Sequence, residues 1–225
     1  GAADDAMGQA LATALGLICH QRRLLPLHAN AVVIDGRAIA IAGCSGAGKS
    51  TLAAHFDQLG HAVLSDDVCA LGIDDTVDAP LVWSGIPRIR LWRDSADALE
   101  RSTVLLEPVA DGLDKYCWPR PHQLPPEGLP LAAVYLLARD DGAATREIAP
   151  LAGSAAVQAV MEQTFRREFL NLIGVVESRF AQTIALARRV PVFRMPWRHD
   201  FATLACDAER LRAHAARQVR RMAGP

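Results

Sequence analysis

A glycine-rich stretch constrains this chain more than any other. Ala38–Ala42 is an uninterrupted apolar run that ends at Gly43, and Gly43-x-x-x-x-Gly48-Lys49-Ser50 follows directly. Five small or branched apolar residues with no polar partner on either face read as a buried strand. Leu52, Phe56 and Leu59 then recur at helical spacing. Strand, glycine loop, Lys-Ser and helix together form a complete phosphate-binding P-loop in its proper setting. Gly43, Gly46 and Gly48 let the backbone turn and aim N–H groups at phosphate oxygens, with Cys44, Ser45 and Ala47 supplying the intervening amides. The positive end of the following helix faces the same anion. Lys49 would reach the β- and γ-phosphates, the Ser50 hydroxyl would bind Mg²⁺, and Thr51 completes the loop.

The flanking sequence sets out an α/β order. Leu27–Ile34 and Arg37–Ala42 are strands separated by Asp35-Gly36, the signature of a two-residue hairpin. That turn sets Ile34 against Arg37 and, carried outward, His28 against Gly43. The P-loop helix runs to about Leu59 and stops at Gly60. His61–Ser65 is the next strand, forming a right-handed parallel crossover, so Asp66 and Asp67 emerge at the edge of the sheet that carries the P-loop. Val68–Ile73 continues as a strand, and Asp74-Asp75 reads as a turn. Residues 80–92 begin as a loop and end as a strand with Arg88, Arg90 and Trp92 on one face and Ile89 and Leu91 on the other. A short helix is expected over 94–100 and a short strand near Tyr116 in an otherwise loop-rich 107–130. Strands follow at 131–138 and 190–195, helices at 6–24 and 153–188, and an amphipathic helix from Phe201 through Val219.

Composition narrows the class. The chain has 225 residues, 51% of them apolar, and a formal net charge of −1. It is expected to be globular, most simply one domain over 1–225, and not a nucleic-acid or membrane-surface protein. Its five scattered cysteines form no C-x-x-C pair, which points to a reduced, cytoplasmic protein without disulfides or a zinc site. No stretch resembles a membrane span or a signal peptide.

His28, the P-loop and the adjacent pair Asp66-Asp67 converge. One carboxylate beside Mg²⁺ is accounted for by metal binding; a second invites another task, such as accepting the proton of an attacking hydroxyl. Residues 27–70 resemble the catalytic domain of HPr kinase/phosphorylase, the bacterial serine kinase of the phosphotransferase system. The resemblance rests on His28, the loop Gly43–Ser50, Gly60-His61 and Ser65-Asp66-Asp67-Val68 at the family's intervals. The later stretches 84–92 and 190–194 look more like HPr-kinase-related proteins, some of which phosphorylate lasso-peptide precursors.

The resemblance implies the mixed sheet shared with ATP-dependent phosphoenolpyruvate carboxykinase, and an ATP- and Mg²⁺-dependent kinase acting on a serine of a small protein or peptide. It further implies self-association; as a departure from the family, the N-terminal domain of the standard enzyme is expected to be absent, leaving a single catalytic domain over 1–225. Carried over, Lys49 contacts phosphate, Ser50 binds Mg²⁺, Asp67 accepts the proton with His28 beside it, and Asp66 serves the metal, the two Asp roles being exchangeable. Opposite the Glu of the standard enzyme's Glu-x-Arg-Gly motif this chain has Val82, or the alignment slips there, so the resemblance leaves a second metal site and the phosphorylase reaction open. A small-molecule kinase or a phosphoenolpyruvate-carboxykinase-like activity, and a nucleotide-sensing module without phosphoryl transfer, are the rival readings. His61 is expected to be structural, Arg88, Arg90 and Arg194 either binding or merely exposed, and Lys115 and Arg120 ordinary surface charge.

Overall fold

The structure is a computed structural model. It describes all residues except 1, 74–78, 105, 107, 111, 121–126, 141–145, 199 and 223–225, and the side chains of 1–9. The expected turn at Asp74-Asp75 lies outside the described residues.

The elements follow in the order α1 (Ala2–Gln21), β1 (Leu25–Leu27), β2 (Ala29–Ile34), β3 (Arg37–Ala42), α2 (Lys49–Gln58), β4 (Val63–Ser65), β5 (Cys69–Gly72), β6 (Leu81–Trp83), β7 (Arg88–Trp92), α3 (Arg93–Ala98), β8 (Lys115–Pro119), β9 (Leu129–Arg139), β10 (Ala149–Leu151), α4 (Gly153–Glu162), α5 (Val176–Arg189), β11 (Val192–Trp197) and α6 (Leu204–Met222). Nine of the strands form one mixed sheet, with a path β1-β5-β6-β9-β3-β2-β4 and β11 joined to β9 and β10; β7 and β8 form a separate ribbon.

Asp35-Gly36 closes the β2–β3 hairpin in the expected register, from Ile34 opposite Arg37 to Ala29 opposite Ala42. The side-chain period of two then splits β3 between two cores. Ile39 and Ile41 pack with Leu52 and Phe56 of α2 and Leu211 of α6. Ala38, Ala40 and Ala42 face Ala156 and Val160 of α4 and Leu186 of α5. Every one of these β3 residues is fully buried.

The crossover after the P-loop differs from expectation. β4 pairs with β2, antiparallel, and not with β3. Since β2 is itself antiparallel to β3, β4 runs in the same sense as β3 with the hairpin strand between them. The sequence gives each strand's direction but not its neighbour. Asp66 and Asp67 still leave β4 at the carboxyl edge of β3. The strand expected over 27–34 is interrupted at His28: β1 pairs with β5 and β2 with β3.

Arg120 is not ordinary surface charge. Its guanidinium is 2.8 Å from Asp57, and Arg101 reaches the same carboxylate at 2.8 Å, with all three side chains largely buried. This triad ties the end of α2 to the segments after α3 and β8. Removing the carboxylate leaves two guanidinium groups buried without their counterion, and Asp57→Ala should destabilise the fold by about 3–5 kcal/mol, read as a lowered urea midpoint.

Candidate functional site

The P-loop occupies the turn between β3 and α2. Gly43 has φ 153° and Gly48, at the start of α2, has φ 86°. A β-carbon at Gly43 would stand 3.3 Å from both the Cβ and the carbonyl oxygen of Leu137, so the loop can leave β3 at that height only through glycine. Cys44, Ser45 and Gly46 are exposed, Ala47 and Gly48 half-buried. The Ala47 N–H donates to the Cys44 carbonyl at 3.1 Å.

Lys49 is 5% exposed and folds back over the loop. Its Nζ donates to the carbonyls of Gly43 at 2.8 Å and Cys44 at 3.0 Å. Burial pulls its pKa down to about 8, partly offset by the carboxylate of Asp66. The Thr51 hydroxyl lies 2.9 Å from the Ser95 hydroxyl.

The acid pair is divided by its contacts. Asp66 accepts from the Ser50 hydroxyl at 2.8 Å through Oδ1 and from the backbone N–H of Arg90 at 2.8 Å through Oδ2. A serine hydroxyl and one carboxylate, both oxygen donors at the mouth of a P-loop, suit Mg²⁺, which takes few protein ligands and fills its shell with water and phosphate oxygens. Among the described residues there is no group of three or more His, Cys, Asp or Glu placed to hold a metal, and Val82 is fully buried in β6, away from any ligand role. Asp67 sits in the left-handed region, φ 70°, its N–H directed at Asn30 Oδ1 at 3.4 Å. Its carboxylate forms an ion pair with the Arg90 guanidinium. Arg90 therefore touches both acids, one by backbone and one by side chain. The alternation of Ile89 and Leu91 into the core places it there.

His28, Lys49, Ser50, Asp67, Arg90 and Lys115 line one cavity of about 420 Å³. His28 is half-buried. Burial first, then the cations Lys49, Arg90 and Lys115, push its pKa down to about 4 against the pull of Asp66, so the imidazole is neutral at pH 7. Lys115 stands over the Trp92 ring at 5.5 Å, in the site and not on an indifferent surface. Gln163, which sequence reasoning did not single out, joins the two ends of the hairpin: its Oε1 accepts from the Gly43 N–H at 3.1 Å and its carbonyl from the His28 N–H at 2.7 Å. No local signal marks a glutamine so far from the loop in sequence. His61 is structural, with Nδ1 3.2 Å from the Val33 carbonyl and its ring against Phe56. Arg88 is half-buried, and Arg194 is exposed on β11.

Fold and site together define an α/β protein with a P-loop between a buried central strand and a helix, and a pair of acids at the same sheet edge. No family model matches the chain, and no curated protein does. Among solved structures it is similar to the HPr(Ser) kinase/phosphatase from Coxiella burnetii, at 13% identity over 84% of this chain and 95% of that one, with a TM-score of 0.43. Among the described residues no helix is long and apolar enough to cross a membrane.

The depressed pKa of His28 has a consequence for stability. Between about 4 and the unfolded value of 6.5 the unfolded chain binds the proton and the folded chain does not. The stability linked to neutral His28 is thus fully present above pH 6.5 and is lost as the pH falls towards 4. His20, His55 and His214 shift in the same direction through burial. Urea midpoints should fall on going from about pH 7 to about pH 5, and His28→Gln should shrink that fall.

Proposed function

We propose that this chain is an ATP- and Mg²⁺-dependent kinase that transfers the γ-phosphoryl group to a serine hydroxyl of a small protein or peptide. One observation carries the reading: two adjacent carboxylates at a P-loop have separate partners, Asp66 on the Ser50 hydroxyl and Asp67 on Arg90 across the cavity. An NTP-binding module needs the first of these alone. The second supplies an acid–base group where an acceptor would stand. The sequence resemblance to HPr-kinase-like proteins supports the same conclusion, and the near-neutral net charge accords with a protein or peptide partner better than with nucleic acid.

In this reading the loop amides and the N-terminus of α2 bind the phosphates. Lys49 exchanges its loop carbonyls for phosphate oxygens. Ser50 and Asp66 would hold Mg²⁺, which when bound offsets phosphate charge. The acceptor oxygen forms its bond to the γ-phosphorus as the bond to the β–γ bridging oxygen breaks, ADP leaves, and the hydroxyl proton passes to a carboxylate oxygen of Asp67. Arg90 fixes that carboxylate, and neutral His28 orients the approach without adding charge. Positioning and electrostatics supply most of the rate. The chain acts as one catalytic unit in the cytoplasm. A nucleotide-sensing module is the second reading, favoured by the closed Asp67–Arg90 pair, which leaves Asp67 engaged until an acceptor or other ligand draws Arg90 away.

The loop sets nucleotide affinity. Lys49→Ala should weaken Mg·ATP binding by about 1.5–3 kcal/mol, the worth of a charged hydrogen bond, in a calorimetric titration; unchanged affinity would remove Lys49 from the site.

The two acids should fail differently. Asp67→Asn should bind Mg·ATP almost normally and slow single-turnover transfer to a serine peptide by roughly 10²–10⁴-fold. Asp66→Asn should raise the Mg²⁺ concentration required. Rescue of Asp67→Asn by excess Mg²⁺ would reverse the assignments. Normal transfer in both variants would end the kinase mechanism, and ATP binding without any transfer by the unaltered protein would favour the sensing module.

A further inference from the structure

One polar side chain breaks an apolar face of the central hairpin. Val32 and Ile34 of β2 and Ile39 and Ile41 of β3 share the core on the α2 side of the sheet. Asn30 belongs to the same face by the alternation of β2 and stands directly opposite Ile41. It is fully buried. Its Nδ2 meets no acceptor among the described residues, and burying an unpaired amide donor carries a cost that valine or alanine would not. Core packing therefore gives no reason for an asparagine here. Its Oδ1 faces the backbone N–H of Asp67 at 3.4 Å.

The backbone it faces is strained. The Val68 N–H donates to the Asp66 carbonyl at 2.9 Å, which closes a three-residue turn with Asp67 at its centre, and Asp67 has φ 70°. A γ-turn with a positive φ at its middle residue is the rare and strained form, and such strain persists only where the surroundings hold it. The turn separates the two acids: Asp66 reaches the Ser50 hydroxyl, and Asp67 reaches the Arg90 guanidinium on the wall of the phosphate cavity. Ala31 of β2 pairs with Ser65 of β4, so Asn30, one residue further along β2, stands level with the turn. Arg90 holds the turn through the Asp67 side chain, and Asn30 holds it through the backbone.

We infer that Asn30 is a positioning residue, which fixes the strained turn at Asp67 and with it the direction of the Asp67 carboxylate. It is the hold that remains when a ligand draws Arg90 away. The inference rests on the kinase reading above for what Asp67 then does, but the turn is testable without it.

The test uses the whole chain and its Asn30→Val and Asn30→Ala variants. Valine completes the apolar face, and alanine only removes the amide. Hydrogen exchange of the Asp67 amide, read by NMR, should speed up by about tenfold in both variants, the effect of losing one hydrogen bond, while the amides of β3 and α2 keep their protection. Single-turnover transfer from Mg·ATP to a serine peptide should slow by roughly tenfold to 100-fold. Mg·ATP affinity and the Mg²⁺ requirement should stay unchanged, because Ser50 and Asp66 keep their contact. The urea midpoint of Asn30→Val should not fall. A merely structural asparagine would give the reverse, a lowered midpoint with normal transfer by the folded protein, and that result would overturn the inference. Unchanged exchange at Asp67 would overturn it as well. Should Asn30→Val fail to fold, Asn30→Ala decides. If the unaltered protein transfers no phosphate, the kinase reading falls, and exchange at Asp67 alone decides whether Asn30 holds the turn.

Discussion

The carboxylate of Asp66 holds the site together. It lies at the end of β4, accepts a hydrogen bond from Ser50 in the first turn of α2, and accepts another from the backbone of Arg90 in β7. Three elements that share no strand pairing with one another are thereby set at hydrogen-bond distance around one anion. Charge-assisted bonds of this kind are stronger than neutral ones. Arg90, held by its backbone at one acid, is placed by the same contact to pair with the other.

That arrangement depends on a framework with little freedom. β3 is buried on both faces, and its isoleucines and alanines separate two cores. The small alanine face belongs to the layer of α4 and α5, and the residue after α4, Gln163, binds the backbone of both Gly43 and His28. The start of the P-loop is thus tied to the α4 end of that layer. The loop itself keeps exposed amides at its tip, where an anion can reach them.

Electrostatics in the cavity follow from burial. Lys49 and His28 are both held below their ordinary pKa values, each with desolvation as the first cause. At Lys49 the carboxylate of Asp66 works against burial, and at His28 the cations Lys49, Arg90 and Lys115 add to burial while Asp66 opposes it.

Local sequence determined much of this protein. Buried β3, the glycine loop, α2 and the Asp35-Gly36 hairpin were all legible, because backbone sterics and side-chain periodicity act over a few residues. They also bring Lys49 and Ser50 to the open end of the hairpin, where the ladder stops at Ala29 opposite Ala42 and His28, expected opposite Gly43, is bound instead to the Gln163 carbonyl. The arrival of Asp66 and Asp67 at that edge was legible too, but the strand beside β4 was not: direction follows from a short connection, whereas the choice of neighbour is made by competition among all strands for buried edges. Tertiary structure alone decided that Arg90 grips the acid pair, that Gln163 ties down the loop and that Arg120 is buried on Asp57. Each is a contact between segments far apart in sequence, and no local pattern records which distant group will satisfy a buried charge or an unpaired amide once the chain has closed around it.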